Sequence, residues 1–378
     1  MKTVIAIDSF KGSMTSMEAG NAAAAGVKAV FPDAEIVVRP LADGGEGTVE
    51  ALTTGMGGRM ETALVSDPLG RKISASYGIL GKNKTAVIEM AAAAGLPLLS
   101  KEERNPLHTT TYGVGELIRD AIRKGCRHFI VGIGGSATND GGVGMLSALG
   151  FEFLDKSGQP VRNGAADLTE IRSGHVLPVL KECTFRVACD VENSLCGELG
   201  CSSVFGPQKG ADEKSIRQMD QWLFSYAQLT KEHFLQADEN SPGAGAAGGF
   251  AFQSYLGARL EPGIRIVLEE TGLEREMADA DFVLTGEGRM DEQTAMGKAP
   301  VGVAKLAKKH GCTVIAFAGA LQESFTACHE IGIDAAFCIQ KRAVSLEEAM
   351  DRDAAMQNLT DTCKEAFRLV KAVVGVPQ

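Results

Sequence analysis

No Cys-x-x-Cys pair occurs among the nine cysteines of this 378-residue chain, and no His-x-x-x-His pair among its six histidines. Structural zinc sites and zinc hydrolases depend on such spacings, so both classes lack support. The dispersed histidines offer equally little to a Ser-His-Asp hydrolase. No stretch reaches the roughly 18 consecutive apolar residues of a membrane span. The apolar run Val4–Ile7 stops at Asp8, too early for the core of a secretory signal. Scattered cysteines in odd number, without such a signal, point to reduced thiols in the cytoplasm. There is also no basic block. The net charge is −10 and the isoelectric point about 5.3, a balance poorly suited to nucleic acid or anionic membranes. Gly-x4-Gly-Lys-Ser/Thr is missing, as are the His-Arg-Asp and Asp-Phe-Gly motifs of protein kinases.

Glycine, by contrast, is abundant: 45 residues, about 12% against a usual ~7%. The excess sits in short polar or acidic clusters, as expected where backbone must approach a ligand closely. The chain is long for one core, so two domains are the default expectation.

Periodicity gives the organisation. Val4–Ile7 reads as a buried parallel strand. A helix follows, with Thr15 and Glu18 at capping-box spacing and Ala23, Val27 and Val30 on one face. Ile36–Leu41 reads as the next strand, giving β-α-β. The same grammar returns late in the chain: strand Phe282–Leu284, helix Val301–His310, strands Thr313–Ala318 and Ala335–Ile339, and a final helix through Leu359, Cys363, Phe367 and Val370. Between these, Asp67-Pro68-Leu69-Gly70 and Gly81-Lys82-Asn83 mark hairpins. A helix Gly115–Lys124 ending at Gly125, a strand His128–Ile133 and a helix from Asp212 to about Phe234 complete the reading. The expected fold is α/β: a discontinuous doubly wound (Rossmann/flavodoxin-like) domain from residues 1–60 and 270–378, a mixed α/β domain at 61–269 inserted in it, and an active-site cleft between them.

Six glycine-associated clusters fall at or near expected strand ends. They begin at Asp8, Asp43, Gly134, Asp190, Phe205 and Gly286. In open α/β sheets ligands bind beyond the carboxyl ends of strands. Glycine there lets N–H groups face an anion, while carboxylates hold Mg²⁺. Any one cluster is an ordinary turn; six together fit phosphoryl transfer. A rival exists. Gly132-Ile133-Gly134-Gly135-Ser136-Ala137 matches a Gly-x-Gly-x-x-Ala dinucleotide fingerprint, and Asp155 lies about 20 residues on, so an NAD(P)-dependent oxidoreductase of a small hydroxy acid is the alternative. Asp140, in the continuation of that loop, fits a bridging metal better than a bare pyrophosphate. A non-catalytic acid-sensing protein is a third class.

Several of these motifs in fixed order resemble the bacterial glycerate kinase family, of the glycerate 2-kinase type. They are Asp8-Ser9-Phe10-Lys11-Gly12, Ala42-Asp43-Gly44-Gly45-Glu46-Gly47-Thr48, Gly132 through Gly142, Phe205-Gly206-Pro207-Gln208-Lys209-Gly210-Ala211, Thr285-Gly286-Glu287-Gly288 and Gly297-Lys298. The resemblance runs from Met1 to Val374; Glu192-Asn193-Ser194-Leu195 departs from it, where the family usually has Asn-Pro-Leu. It implies ATP and Mg²⁺ as cofactors, D-glycerate as the small-molecule substrate, and phosphoglycerate, with the 2-phosphate favoured, as product. Assembly into a homo-oligomer is compatible with it.

The reaction needs an anion clamp, a base, a metal and a triphosphate cradle. Lys11 and Arg71 are the candidate clamps for the substrate carboxylate, and Lys209 for charge on the transferring phosphoryl group. Asp190 is the candidate base, with Asp43 and Asp291 as alternatives or as Mg²⁺ ligands. Ser9, Gly134, Gly135, Ser136 and Asn139 are assigned to the substrate. Asp43, Gly44, Gly45, Glu46, Gly286, Glu287, Gly288 and Lys298 are assigned to the nucleotide.

Overall fold

Thirteen strands order the described residues: β1 (Lys2–Ile5), β2 (Glu35–Val38), β3 (Arg59–Ser66), β4 (Lys72–Leu80), β5 (Thr85–Glu89), β6 (His128–Gly132), β7 (Glu152–Asp155), β8 (Leu168–Arg172), β9 (Thr184–Ala188), β10 (Arg259–Glu261), β11 (Phe282–Met290), β12 (Thr313–Leu321) and β13 (Ala335–Cys338). The computed structural model describes residues 1–45, 47–81, 84–161, 166, 168–172 and 175–374. The chain is mixed α/β and divides into two units, one formed by Met1–Asp43 with Ile264–Gln378 and the other by Gly44–Gly263.

The first unit holds a five-stranded sheet in the order β13-β12-β11-β1-β2, parallel throughout. The β-branched residues of β1 are buried, as strands covered on both faces require. From β1 the chain moves to β2 on one side; from β11 it moves to β12 and β13 on the other. The β1/β11 seam is therefore where the order reverses, and Asp8 N–H crosses it to Gly286 O at 2.9 Å. The helix Ser16–Lys28 begins with the expected capping box, Thr15 with Glu18. It packs on the helix Arg352–Val374 through small residues: Thr360 Oγ1 donates to Ala22 O at 3.0 Å and Cys363 Sγ to Ala23 O at 3.3 Å. Ile5, Ile7, Leu284, Phe317, Leu359 and Phe367 form the core.

The second unit is built on a six-stranded sheet, β10-β9-β6-β5-β4-β3. β5, β6, β9 and β10 run parallel, whereas β4 is antiparallel to both β3 and β5. Tyr77, Ile88, Leu117, Phe129, Val131 and Phe250 fill its core, with Phe129 stacked on Phe185 at 4.8 Å between centroids. β7 and β8 form a separate antiparallel pair.

Several expectations shift. The helix Thr48–Gly55 was not read from sequence, and it packs on β3, β4 and β5, with Val49 N–H donating to Glu89 Oε1 at 2.9 Å. The contact boundary consequently falls after Asp43 rather than near residue 60, and after Gly263 rather than residue 269. β11 continues six residues past Leu284, because β12 supplies ladder partners out to Leu321. Gly286, Glu287 and Gly288 thus lie inside a strand, not in a loop after one. The Phe205–Gly210 cluster follows the short helix Cys201–Phe205 and contains the 3-10 turn Pro207–Lys209, so it is not a strand end either. The hairpin expected at Asp67–Gly70 joins β3 to β4; Lys82 and Asn83 of the second expected turn lie outside the described residues. No described helix is long and apolar enough to cross a membrane.

Candidate active site

Asp8 leaves β1 at the switch point of the parallel sheet, 8% exposed, and its carboxylate accepts from Ser9 N–H at 2.7 Å. Burial, together with the negative charges of Asp43 and Glu287, pushes the Asp8 carboxyl up to about 7. Lys11, exposed on the same loop, pulls it back in part. Glu287 projects from β11, 8% exposed, and accepts from Thr294 Oγ1 at 2.5 Å. Burial raises its carboxyl as well, with Asp43 adding to the effect. Three acids crowding one seam make a negative field that a cation would relieve. Among the described residues, no group of three acids, histidines or cysteines is placed to hold a metal by itself. Mg²⁺ seldom demands that: one or two carboxylates with substrate phosphates usually suffice, so Asp8 and Asp43 fit such an ion.

Asp291 is engaged otherwise. It caps the helix Glu292–Ala295, accepting from Gln293 N–H at 3.0 Å, and its other oxygen lies 3.0 Å from Arg289. Burial works to raise its carboxyl, but Lys298, the Gln293 N–H and Arg289 outweigh it and hold it below the usual range. Lys298 Nζ stands 3.9 Å from Asp291.

In the Gly44–Gly263 unit the Gly134 and Asp190 loops follow the carboxyl ends of the neighbouring parallel strands β6 and β9. Gly44, at φ +91°, lies against Gly263 and Ala188; a Cβ there would sit 2.7 Å from Gly263 Cα, which leaves glycine as the residue that fits. Asp190 follows β9 directly, exposed, with Oδ1 accepting from Gly263 N–H at 3.0 Å. Gly134 and Gly135 are exposed beyond β6, whereas Ser136 and Asn139 are buried. Lys209 lies beneath that loop, 5% exposed, donating to Thr138 O at 2.6 Å and Ser136 Oγ at 3.1 Å. Its ammonium has no carboxylate partner among the described residues, and burial lowers its pKa, with Cys201 and Asp140 acting only from a distance.

Two sequence arguments fail here. Asp140 is not a metal ligand: Oδ2 accepts from Thr111 N–H and Oγ1, both at 2.8 Å, and from Gly144 N–H at 3.1 Å, while Oδ1 accepts from Gly142 N–H at 3.0 Å. It is the buried hub that shapes the loop. The dinucleotide fingerprint fails too. Residues 134–142 are loop, the helix begins only at Val143, and Asp155 is occupied by Ser157 and Gln159 N–H groups in a turn after β7. No helix N-terminus follows Gly134-Gly135 directly, where a pyrophosphate would need one.

A sequence model of the Glycerate kinase family matches residues 3–371. The chain belongs to the glycerate kinase family. It is 47% identical to a glycerate kinase of Halalkalibacterium halodurans over 354 residues, covering 92% of this chain and 93% of that one. It is 47% identical to the Escherichia coli K12 glycerate 2-kinase over the same length and shares. A solved Salmonella typhimurium LT2 structure assigned as glycerate kinase 2 is 42% identical, with a TM-score of 0.92 over 100% of both chains. Nothing among these relatives favours the oxidoreductase alternative.

Within this glycerate kinase fold, the residues singled out from sequence separate by unit. Ser9, Lys11, Asp43, Gly286, Glu287, Gly288, Asp291 and Lys298 belong to the unit of the chain ends, apart from Asp190, Gly134, Gly135, Ser136, Asn139, Lys209, Gly44 and Gly45 in the other. Glu46 lies outside the described residues. Arg71 is already spent on two carboxylates, Asp67 Oδ2 at 2.5 Å and Glu103 Oε1 at 2.6 Å. Sequence reasoning did not single out Asp8 by itself, although it opens the first cluster. Nor did it single out Arg104, whose Nε is buried without a hydrogen-bond partner among the described residues; no glycine cluster marks it. A cavity of about 640 Å³ beside the Asp140 loop, lined in part by Tyr112, Phe151, Phe153 and Val161, was likewise unmarked.

Proposed function

We propose that this chain is a glycerate kinase, transferring the γ-phosphoryl group of ATP to a hydroxyl of D-glycerate to give ADP and phosphoglycerate, the 2-phosphate by preference. The observation that carries the reading is the buried Lys209 ammonium under the Ser136–Asn139 loop, which no acid of the described chain neutralises. An acidic protein keeps such a cation buried at a cost, and an anionic ligand repays it. Full-length similarity to glycerate kinases supplies the substrate and the reaction.

On this reading Asp190 accepts the proton of the attacking hydroxyl, Lys209 stabilises charge on oxygens that gain it, and Lys11 supplies positive charge at the switch point. Asp8 and Asp43 are the carboxylates that would hold Mg²⁺, which when bound neutralises charge on the phosphates. Gly286 and Gly288 keep β11 bare beside the Asp8 loop, and Lys298, heading the helix Ala299–Lys309, completes the nucleotide side. We read the chain-end unit as the doubly wound part of the fold and the protein as cytoplasmic. The test is ADP release from ATP, Mg²⁺ and D-glycerate, with phosphorus NMR of the product. Glycerate-independent ATP consumption, or none at all, would sink the proposal; a 3-phosphate signal would correct the regiochemistry.

A further inference from the structure

Two cationic side chains of the Gly44–Gly263 unit have no acid beside them among the described residues. Buried Lys209 is one; half-buried Arg104, whose Nε is sealed from solvent without a hydrogen-bond partner among the described residues, is the other. They are neighbours by construction. Gly210, next after Lys209, packs so closely on Arg104 that a Cβ there would lie 2.1 Å from Arg104 O and 3.2 Å from Arg104 Cβ. The stretch that carries Arg104 is pinned to the glycine loop by Thr109 Oγ1, which donates to Ala137 O at 2.9 Å. Two oxygens of that same loop are also buried without partners among the described residues, Asn139 Oδ1 and Thr138 Oγ1. The orientation of the Asn139 amide is fixed from its other end: Nδ2 donates to Ser202 Oγ at 2.8 Å and approaches Met219 Sδ at 3.4 Å. Positively charged donors and an unfilled neutral acceptor, carried by segments that pack on one loop, call for a ligand that carries an anionic group and a hydroxyl together.

We propose that Arg104, flanking Lys209, clamps the carboxylate of a small hydroxy acid, one of whose hydroxyls donates to Asn139 Oδ1, while Lys209 keeps its role toward the transferring phosphoryl group. This makes Arg104, rather than Arg71, the second anion clamp; the identity of the acid as glycerate rests on the kinase reading. A phosphate oxygen of the nucleotide has similar chemistry, so the test must separate the two.

Steady-state kinetics and thermal melts of full-length Arg104→Met and Arg104→Lys provide it. Loss of a charge-assisted clamp should raise the glycerate KM of Arg104→Met by ~10–100-fold, with the ATP KM within about 2-fold of wild type. Its Tm should be no lower than wild type, since the substitution withdraws an unpartnered polar nitrogen from burial. Arg104→Lys should recover part of the lost affinity. In titrations of the wild-type protein without ATP, glyceramide, which lacks only the charge, should bind at least ~10-fold more weakly than D-glycerate. An unchanged glycerate KM, a shift in the ATP KM instead, or equal binding of glyceramide overturns the proposal, the last even if the variants do not fold. Arg104-dependent glycerate binding by a wild-type protein that forms no ADP would leave it standing while the kinase reading fell.

Discussion

Crowding of Asp8 by burial and by Asp43 and Glu287 has a thermodynamic sign that can be read in solution. With its carboxyl raised from the ordinary 3.8 to about 7, the folded protein holds a proton that the unfolded chain has already released. The resulting stability is full below the unfolded value and is lost as pH climbs through 7. Asp8→Asn keeps an oxygen for Ser9 N–H but has nothing to ionise. In chelator, urea melts should show the variant gaining on wild type between pH 4 and pH 8, by up to ~4 kcal/mol; a difference that does not change with pH would contradict the crowding. Asp190→Asn isolates chemistry in the same manner, because an amide oxygen can still accept from Gly263 N–H. Its kcat should fall by ~100–10,000-fold with an unchanged melting curve, as removal of a general base does. Turnover near wild type would remove Asp190 from the mechanism.

At the scale of elements, β11 is the strand on which both sequence and structure have most to say. The residue pattern Phe282–Leu284 marked its start because three apolar residues in a row are visible. Its continuation through Gly286, Glu287 and Gly288 was invisible, since glycine and glutamate have poor strand preference and only pairing with β12 holds them extended. Gly286 is needed there for space: a Cβ would stand 1.9 Å from Phe317 O, a backbone atom that cannot move aside. At Gly288 the nearest atom would be 3.5 Å away. Gly286→Ala should therefore cost ~1–3 kcal/mol or more in urea unfolding, while Gly288→Ala should stay near wild-type stability; equal costs would refute this account. The same limit governs what else was legible. Capped, periodic elements such as Ser16–Lys28 and Glu213–His233 could be placed to within a residue or two, because their signals are local. Asp140 and Arg71 could not be told from ligands, since Thr111 and Glu103, which help to occupy them, lie about 30 residues away in sequence, and Asp291 could not because nothing in a sequence shows that its neighbours Arg289 and Gln293 turn onto it. Arg104 could not be found at all: its significance is a missing partner, and sequence does not display absences of that kind.

On the whole molecule, the nine thiols report how evenly the two units are packed. Cys126, Cys201, Cys312, Cys328 and Cys363 are buried, Cys183, Cys189 and Cys196 half-buried, and Cys338 exposed at the end of β13. Burial pushes the Cys201 thiol up to about 11 and Cys363 to about 12, so both are poor nucleophiles as well as inaccessible. A thiol reagent should label Cys338 first in the native protein and all nine only in denaturant, and Cys338→Ser should abolish the fast phase. Rapid labelling that survives the substitution would mean that one of the buried cysteines opens readily.

The chain-end unit also sets an order of events during synthesis. β1 is a central strand whose neighbour across the seam is β11, so Val4 and Ile5 cannot be covered on that side until Phe282–Leu284 has left the ribosome. The Gly44–Gly263 unit, contiguous in sequence, is complete before then. At ~5–20 residues per second the first strand must wait on the order of tens of seconds for its partner. For that interval the nascent chain carries an uncovered β1 ahead of a finished domain, and the unit completed last is the one that holds the earlier-made strand.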